Sequence, residues 1–263
     1  MSVCGRRDTR ADQGVDVRPN RYLGLDLGWT PRDSSGGVVL EPTGDGSVVV
    51  RSADSLRAHE DVLRWVTRHR QRVQAVVAFN APVVVENMGG SRPCDRLLQE
   101  HFSRFRIDEY ANNIMSASHP RTMAKALVRM GFEPNPAAAG DRLVETHLGA
   151  AQVMLFDVER PVRLKIGPIG ARKDAVDRLR ELVVEKLLES KQLPLETSPV
   201  LDEMLDAHLP DLNGTRLGEL EERLEALLCA YVAAWLGQLG AEACAFLGDL
   251  DHGYILLPDP SRA

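Results

Sequence analysis

The chain is poor in the residues that mark several common chemistries. It has four cysteines in 263 residues (Cys4, Cys94, Cys229 and Cys244), and no two form a C-x-x-C pair. That excludes the usual zinc spacing and argues against a disulfide framework. Cys229 and Cys244 lie in apolar helical context and are expected as small core residues. No apolar run approaches the roughly 20 residues that span a bilayer, so no membrane partner is expected. The longest run, ALLCAYVAAWLGQLG, is flanked by acidic helix and reads as a buried helix. Neither G-x-x-x-x-G-K-[ST] nor G-x-G-x-x-G occurs, which removes support for P-loop and Rossmann phosphate sites. Basic charge is not in excess: the formal net charge is −6. This counts mildly against broad charge-driven nucleic-acid binding, but not against a local basic groove. No internal repeat or low-complexity tract is visible.

What remains is an ordinary globular composition, 44% hydrophobic and 27% charged. Residues 1–19 mix both charge signs without an apolar core. They are expected to be a disordered tail, neither secretory signal nor transit peptide, on a cytoplasmic protein. Residues 20–258 are expected to form one domain, with 259–263 as a C-terminal tail.

Three strand candidates open that domain, RYLGLDLG, GGVVLEP and GSVVVRS, separated by Gly/Ser/Asp-rich turns. They read as an antiparallel meander. SLRAHEDVLRWVTRHRQ follows with a helical apolar stripe and Ser55 as its expected N-cap. VQAVVAFNAPVVV then has the continuous apolar character of a strand buried on both faces. An insertion at about 86–140 carries two helices, the second stopped at Gly131. DRLVETHLGAAQVMLF reads as a strand becoming a helix, RKDAVDRLRELVVEKLLES and LGELEERLEALLCAYVAAWLGQLG as helices, and GDLDHGYILLPDP as a closing hairpin or strand. The order predicts an α/β three-layer fold of ribonuclease H-like type. Its mixed central sheet starts with the three-strand meander, helices lie on both faces, and a helical insertion follows the fourth strand.

In such a sheet the first and fourth strands are parallel neighbours, so Asp26 and Asn80 should lie a few ångströms apart at one edge. Ligands of α/β sheets gather there. Asp26 in LDLGW, Glu145 in RLVET and Glu225 in ELEERLEALL are the candidate Mg²⁺ or Mn²⁺ ligands, because such hard ions prefer carboxylate oxygen. Asn80 would be an auxiliary ligand or water-positioner. Glu221 and Glu222 share helical faces with Glu225 at spacings of four and three. A two-metal nuclease holds its ions about 3.5–4 Å apart between several acids, and a neutral amide at position 80 makes one ion easier to support than two.

Three cations are candidate phosphate contacts. Arg92 precedes Pro93, where a helix is expected to begin and anions are attracted. The competing reading has Asp95 balancing that terminus and Cys94 packed inside. Lys165 and Arg172 flank the loop IGPIGA. Surface charge is the competing reading for both. His119 and His147 show no partner in the sequence that would make either a catalytic base.

From Tyr22 to Pro258 the chain resembles the domain-of-unknown-function family 429, described as predicted nucleases of ribonuclease H-like fold. The resemblance lies in GLDLGW, VVAFNAPV, RPCDRLL, VETHLGAAQVMLF, RLKIG, LEALLCAYVAAW and GDLDHGYILLP, in that order. It implies Asp26 as the first-strand acid and Glu145 as the acid of the VE motif. Asn80 stands where the family usually has Asp, and Glu225 replaces an Asp at the head of the last helix. ETHLG also departs from the more usual pattern and leaves His147 displaced. The implied activity is metal-dependent hydrolysis of phosphodiesters, with nucleic acid or a nucleotide-like substrate as partner. Two other readings stay open: an inactive binding or scaffold protein, and an enzyme acting on a small phosphorylated metabolite. LDLGWT also resembles the first phosphate loop of actin-like ATPases, but those close over ATP with two copies of the fold and this chain supplies one D-x-G.

Overall fold

The computed structural model describes residues 21–71, 73–107 and 111–263, so the expected N-terminal tail lies outside the described residues. The opening meander is present: β1 (Arg21–Asp26), β2 (Ser35–Pro42) and β3 (Val48–Leu56) pair antiparallel in sequence. α1 (His59–Arg70) crosses over the sheet, and β4 (Ala75–Phe79) returns parallel to β1. The insertion carries α2 (Pro93–Phe102) and α3 (Ser118–Arg129), and β5 (Arg142–Glu145) then pairs parallel to β4. α4 (Leu148–Phe156) and α5 (Ile169–Leu182) follow, the latter running into a π-helical turn, Val183–Leu188. A two-residue strand, β6 (Leu195–Glu196), pairs parallel to β3. After it come α6 (Pro199–Asp206), the long α7 (Gly214–Leu239), and the hairpin β7 (Cys244–Asp249) and β8 (Gly253–Pro258).

The sheet order is β5-β4-β1-β2-β3-β6, with β2 alone running against the rest. That order and those directions make the fold ribonuclease H-like. Strand alternation sorts the core into two layers. Leu23 and Leu25 pack toward α1 and α3 with Trp65, Phe79, Met123 and Leu127. Tyr22 faces the opposite way, toward α7 and the terminal hairpin.

Gly24 and Asp26 share that second face with Tyr22. A β-carbon on Gly24 would lie 2.0 Å from the carbonyl oxygen of Ala226 and 2.1 Å from the amide nitrogen of Ala230. One on Gly36 of β2 would lie 2.0 Å from the carbonyl oxygen of Glu222. Two glycines on neighbouring strands therefore let the backbone of α7 rest directly on the sheet. This close approach brings the acids of α7 to the end of β1.

Three expectations need correction. The crossover helix begins at His59 with Ala58 at its N-cap, while Ser55 belongs to β3 opposite Gly36. The ladder hydrogen bonds of β3 extend further than its apolar pattern. α6 and β6 were not anticipated. Nor do the last residues trail away: Asp259 is buried, its amide donates to the Ala243 carbonyl at 3.0 Å, and Arg262 reaches the Cys244 carbonyl at 3.3 Å. Among the described residues no helix is long and apolar enough to cross a membrane.

Candidate functional site

The ends of three parallel strands set the site. Leu25, Phe79 and Glu145 form one row across β1, β4 and β5. The amide of Asn80 donates to the Leu25 carbonyl at 3.2 Å, and that of Thr146 to the Phe79 carbonyl at 2.8 Å. Asp26, Asn80 and Thr146 therefore form the next row. Because successive residues point to opposite faces, this row looks toward α7, while Glu145, one residue before Thr146, borders the same cleft from beside Arg92. Asn80 Nδ2 donates to Asp26 Oδ1 at 3.4 Å, and its Oδ1 accepts from the Leu148 amide at 3.3 Å. The expected proximity of Asp26 and Asn80 is borne out. The amide holds Asp26 and the start of α4 together.

α7 supplies the facing acids. Glu222 and Glu225, three apart, both reach the cleft beside Asp26. Between Asp26 and Glu225 stands the ammonium of Lys165, bonded to Asp26 Oδ2 and 2.6 Å from Glu225 Oε2. Lys165 has φ +63°, a left-handed conformation uncommon for a side-chain-bearing residue. Its amide donates to Glu221 Oε1 at 3.2 Å, and Glu221 is held in turn by Arg172, whose Nε donates at 2.9 Å. This buttress aims Lys165 inward. Burial and the charge of Asp26 push the Glu225 carboxyl up to about 8, with Lys165 drawing it partly back. Against the cost of burial, the two carboxylates hold the Lys165 ammonium above its ordinary value. Glu222 is raised by burial, accepts a hydrogen bond from the Ser34 hydroxyl, and keeps its buried Oε2 without a partner. The buried Oγ1 of Thr146 has no partner either.

Glu145 does not join this cluster, which corrects its expected role as a ligand. It accepts from Arg92 Nη1 at 2.8 Å, from Arg92 Nη2, and from the Val83 amide at 2.9 Å. Arg92, expected at a phosphate, is itself fully buried. It also bonds Asp95 Oδ1 at 2.8 Å and the Val84 carbonyl at 2.9 Å. Asp95 closes a capping box at the start of α2 and Cys94 packs in the core, so the structural alternative for this segment is the correct one. Burial disfavours the charged form of Arg92, yet Glu145 and Asp95 hold the guanidinium above its ordinary value. Arg172 is likewise corrected, from a phosphate contact to the partner of Glu221. Lys165, also expected at phosphate, faces carboxylates instead.

The cleft around Asp26 encloses about 710 Å³. Its walls come from the β1–β2 turn, the ends of β4 and β5, residues 161–166 and α7. Among the described residues no group of three or more His, Cys, Asp or Glu side chains is assembled to hold a metal ion. The donor chemistry nevertheless suits one hard cation. Mg²⁺ is often held by one or two protein carboxylates and completed by water and substrate phosphate. Asp26 and Glu225 already converge on one cation, the Lys165 ammonium, and Glu222 has a free oxygen. A second ion would have only Glu222 as a further acid, because Glu145 is engaged by Arg92. Ser34 and Thr146 were not among the expected site residues, and Glu222 was expected only to share a helical face with Glu225. The i, i+3 spacing of Glu222 and Glu225 and the alternation after Val144 were the available signals.

No model of a known protein family matches the chain, and no curated protein does. Two solved structures resemble it weakly. One is the yeast mitochondrial Holliday junction resolvase Ydc2, at 9% identity over 84% of this chain and 80% of that one, with a TM-score of 0.40. The other is RuvC of Thermus thermophilus, at 14% identity over 80% and 95%, with a TM-score of 0.30. The fold assignment rests on strand order and direction, not on these values.

Proposed function

We propose that the chain is a metal-dependent phosphodiesterase acting on nucleic acid, with Asp26 and Glu225 holding one Mg²⁺ or Mn²⁺. The same proposal takes in its membership of the family of predicted nucleases that its motifs resemble. One observation carries the reading: two carboxylates from β1 and α7 meet at a single cation position inside a cleft at the sheet edge. A bound ion would supply Lewis acidity and lower the pKa of a bound water.

The chain's own groups do the rest. Asn80 fixes the carboxylate of Asp26. Glu222, raised by burial and with one buried oxygen unpartnered, is suited to take a proton from the attacking water. The unpartnered hydroxyl of Thr146 offers a hydrogen bond to a phosphate oxygen. Lys165 must leave the two carboxylates for the ion to enter, and it then leaves a mobile positive charge inside the cleft for the phosphate.

Calorimetric titration of Mn²⁺ into the wild-type chain, Asp26→Asn and Glu225→Gln tests this, alongside cleavage of labelled DNA and RNA. Micromolar binding and cleavage, both lost in each variant, are the expected results. Lys165 favours a second reading, because it neutralises the pair without any ion: a binding protein that retains the fold without the chemistry. Absence of Mn²⁺ binding by the wild type, with and without nucleic acid, would overturn the first reading in favour of the second.

A further inference from the structure

The insertion after β4 carries a feature that the cleft does not use. α3 contains Arg121, Lys125 and Arg129, each four residues from the last and thus on one face, and it contains no acid. On a chain of net charge −6 this is a local concentration of positive charge. None of the three makes an ion pair among the described residues, and Arg121 Nε is buried without a hydrogen-bond partner. Lys125 and Arg129 are exposed. Cations of a purely structural surface would be expected to find some of the chain's surplus carboxylates.

The three line a groove of about 370 Å³ between α3 and the segment that follows β4. Its floor is apolar, including Val83 and Val128, and Glu86 is the single acid among the described residues that line it. Asn80 to Pro82 line the catalytic cleft, and Val83 to Glu86 line the groove. One short stretch of chain therefore separates the two. An extended polyanion lying in the cleft would meet the basic face of α3 on crossing that stretch.

We infer that Arg121, Lys125 and Arg129 form a second nucleic-acid contact, taking backbone phosphates of the strand that leaves the cleft. This rests on the proposed function for the identity of the polyanion. Phosphate contacts of this kind position the nucleic acid without reading its sequence. They also explain how an acidic chain holds such a partner: attraction is local and is carried by the insertion.

The test uses the full chain and a fluorescent DNA duplex in metal-free buffer containing EDTA, with binding followed by anisotropy across a salt series. Lys125→Gln/Arg129→Gln alters only exposed side chains, and its melting temperature serves as the folding control. Loss of two phosphate contacts should lower the slope of log K against log salt by about 1.8 and weaken binding about 30-fold near 0.15 M salt. Adding Arg121→Gln should deepen both effects. An unchanged slope in the folded double variant overturns the inference, whatever the cleft does. Loss of binding to polyglutamate with duplex binding retained also overturns it and makes the groove a site for acidic polypeptide. The same preparations are titrated with Mn²⁺ and assayed for cleavage. A lowered slope without metal binding or cleavage keeps the groove and refutes the proposed catalysis; metal-dependent cleavage with an unchanged slope does the reverse.

Discussion

Glu145→Gln separates two roles that the sequence alone leaves equivalent. If Glu145 is a metal ligand, the variant loses affinity for the ion and keeps its stability. If it is the counter-ion of Arg92, the reverse holds. The structure argues for the counter-ion: both partners are buried, Arg92 fully and Glu145 with 3% exposure. The carboxylate also receives the Val83 amide at 2.9 Å. A glutamine can still accept from that amide, but its NH₂ confronts a guanidinium left with Asp95 as its sole carboxylate. Breaking a buried pair by removing one partner costs about 3–5 kcal/mol. The retained oxygen and Asp95 favour the low end, about 3 kcal/mol. For a chain of 263 residues that corresponds to a melting temperature lower by about 6 °C. Thermal denaturation followed by circular dichroism reads this directly, and Mn²⁺ calorimetry below the transition should show affinity within about twofold of wild type. A cycle through Arg92→Met, Glu145→Met and the double variant completes the argument. The double should be more stable than Arg92→Met, which leaves both Glu145 and Asp95 buried without their guanidinium. A Glu145→Gln chain that melts within about 2 °C of wild type yet fails to bind Mn²⁺ would refute the reasoning.

Other expectations follow from the same geometry. Lys165→Met removes the ammonium that an incoming ion must displace. Two charge-assisted bonds, discounted for the 39% exposure of the lysine side chain, amount to about 2 kcal/mol, or about 30-fold tighter Mg²⁺ binding at a pH where Glu225 is ionised in both chains. That pH lies higher in the variant, because Lys165 no longer draws the carboxyl down. Unchanged or weaker binding there would mean that Lys165 does not compete. Glu225, pushed up to about 8, holds a proton that the ion must expel. Affinity should therefore climb with pH to about 8 and level off above it; a flat profile from pH 6 to 9 would contradict this. In the metal-free chain the same shift acts on stability. The folded state binds a proton that the unfolded state releases near pH 4.5, so this contribution is complete below that value and is lost as pH rises toward about 8. Melting temperature should fall across that window, and less steeply in Glu225→Gln. Gly24→Ala places a methyl 2.0 Å from the backbone of α7, so the helix must shift. A loss of about 3 kcal/mol or failure to fold is expected, and a melt unchanged within about 2 °C would show that α7 is not seated as described.

How much of this was legible in advance depends on which physical rule governed each residue. The fold was readable because hydrophobic alternation and turn chemistry are local, and only a few arrangements satisfy three antiparallel strands followed by a crossover. Asp26 and Asn80 were readable for the same reason, since the ends of two parallel neighbours must adjoin. Glu145 was readable in principle and misread. Once β4 and β5 are parallel with Phe79 opposite Glu145, Thr146 falls beside Asn80, and Glu145, though it borders the cleft, is taken up by Arg92. The register was the missing quantity, and a shift of one residue exchanges the two faces. Glu222 depended on how closely α7 approaches the sheet, which Gly24 and Gly36 allow. A glycine in a strand signals close approach without naming what approaches. Lys165 lay beyond any local rule. Its position rests on a left-handed backbone and on a chain of contacts through Glu221 to Arg172, joining residues about fifty apart that share no periodic pattern. The cation therefore reads as surface charge in the sequence and stands between two acids in the fold. Of the residues around Asp26, it is the one whose removal distinguishes a site awaiting an ion from a site already neutralised.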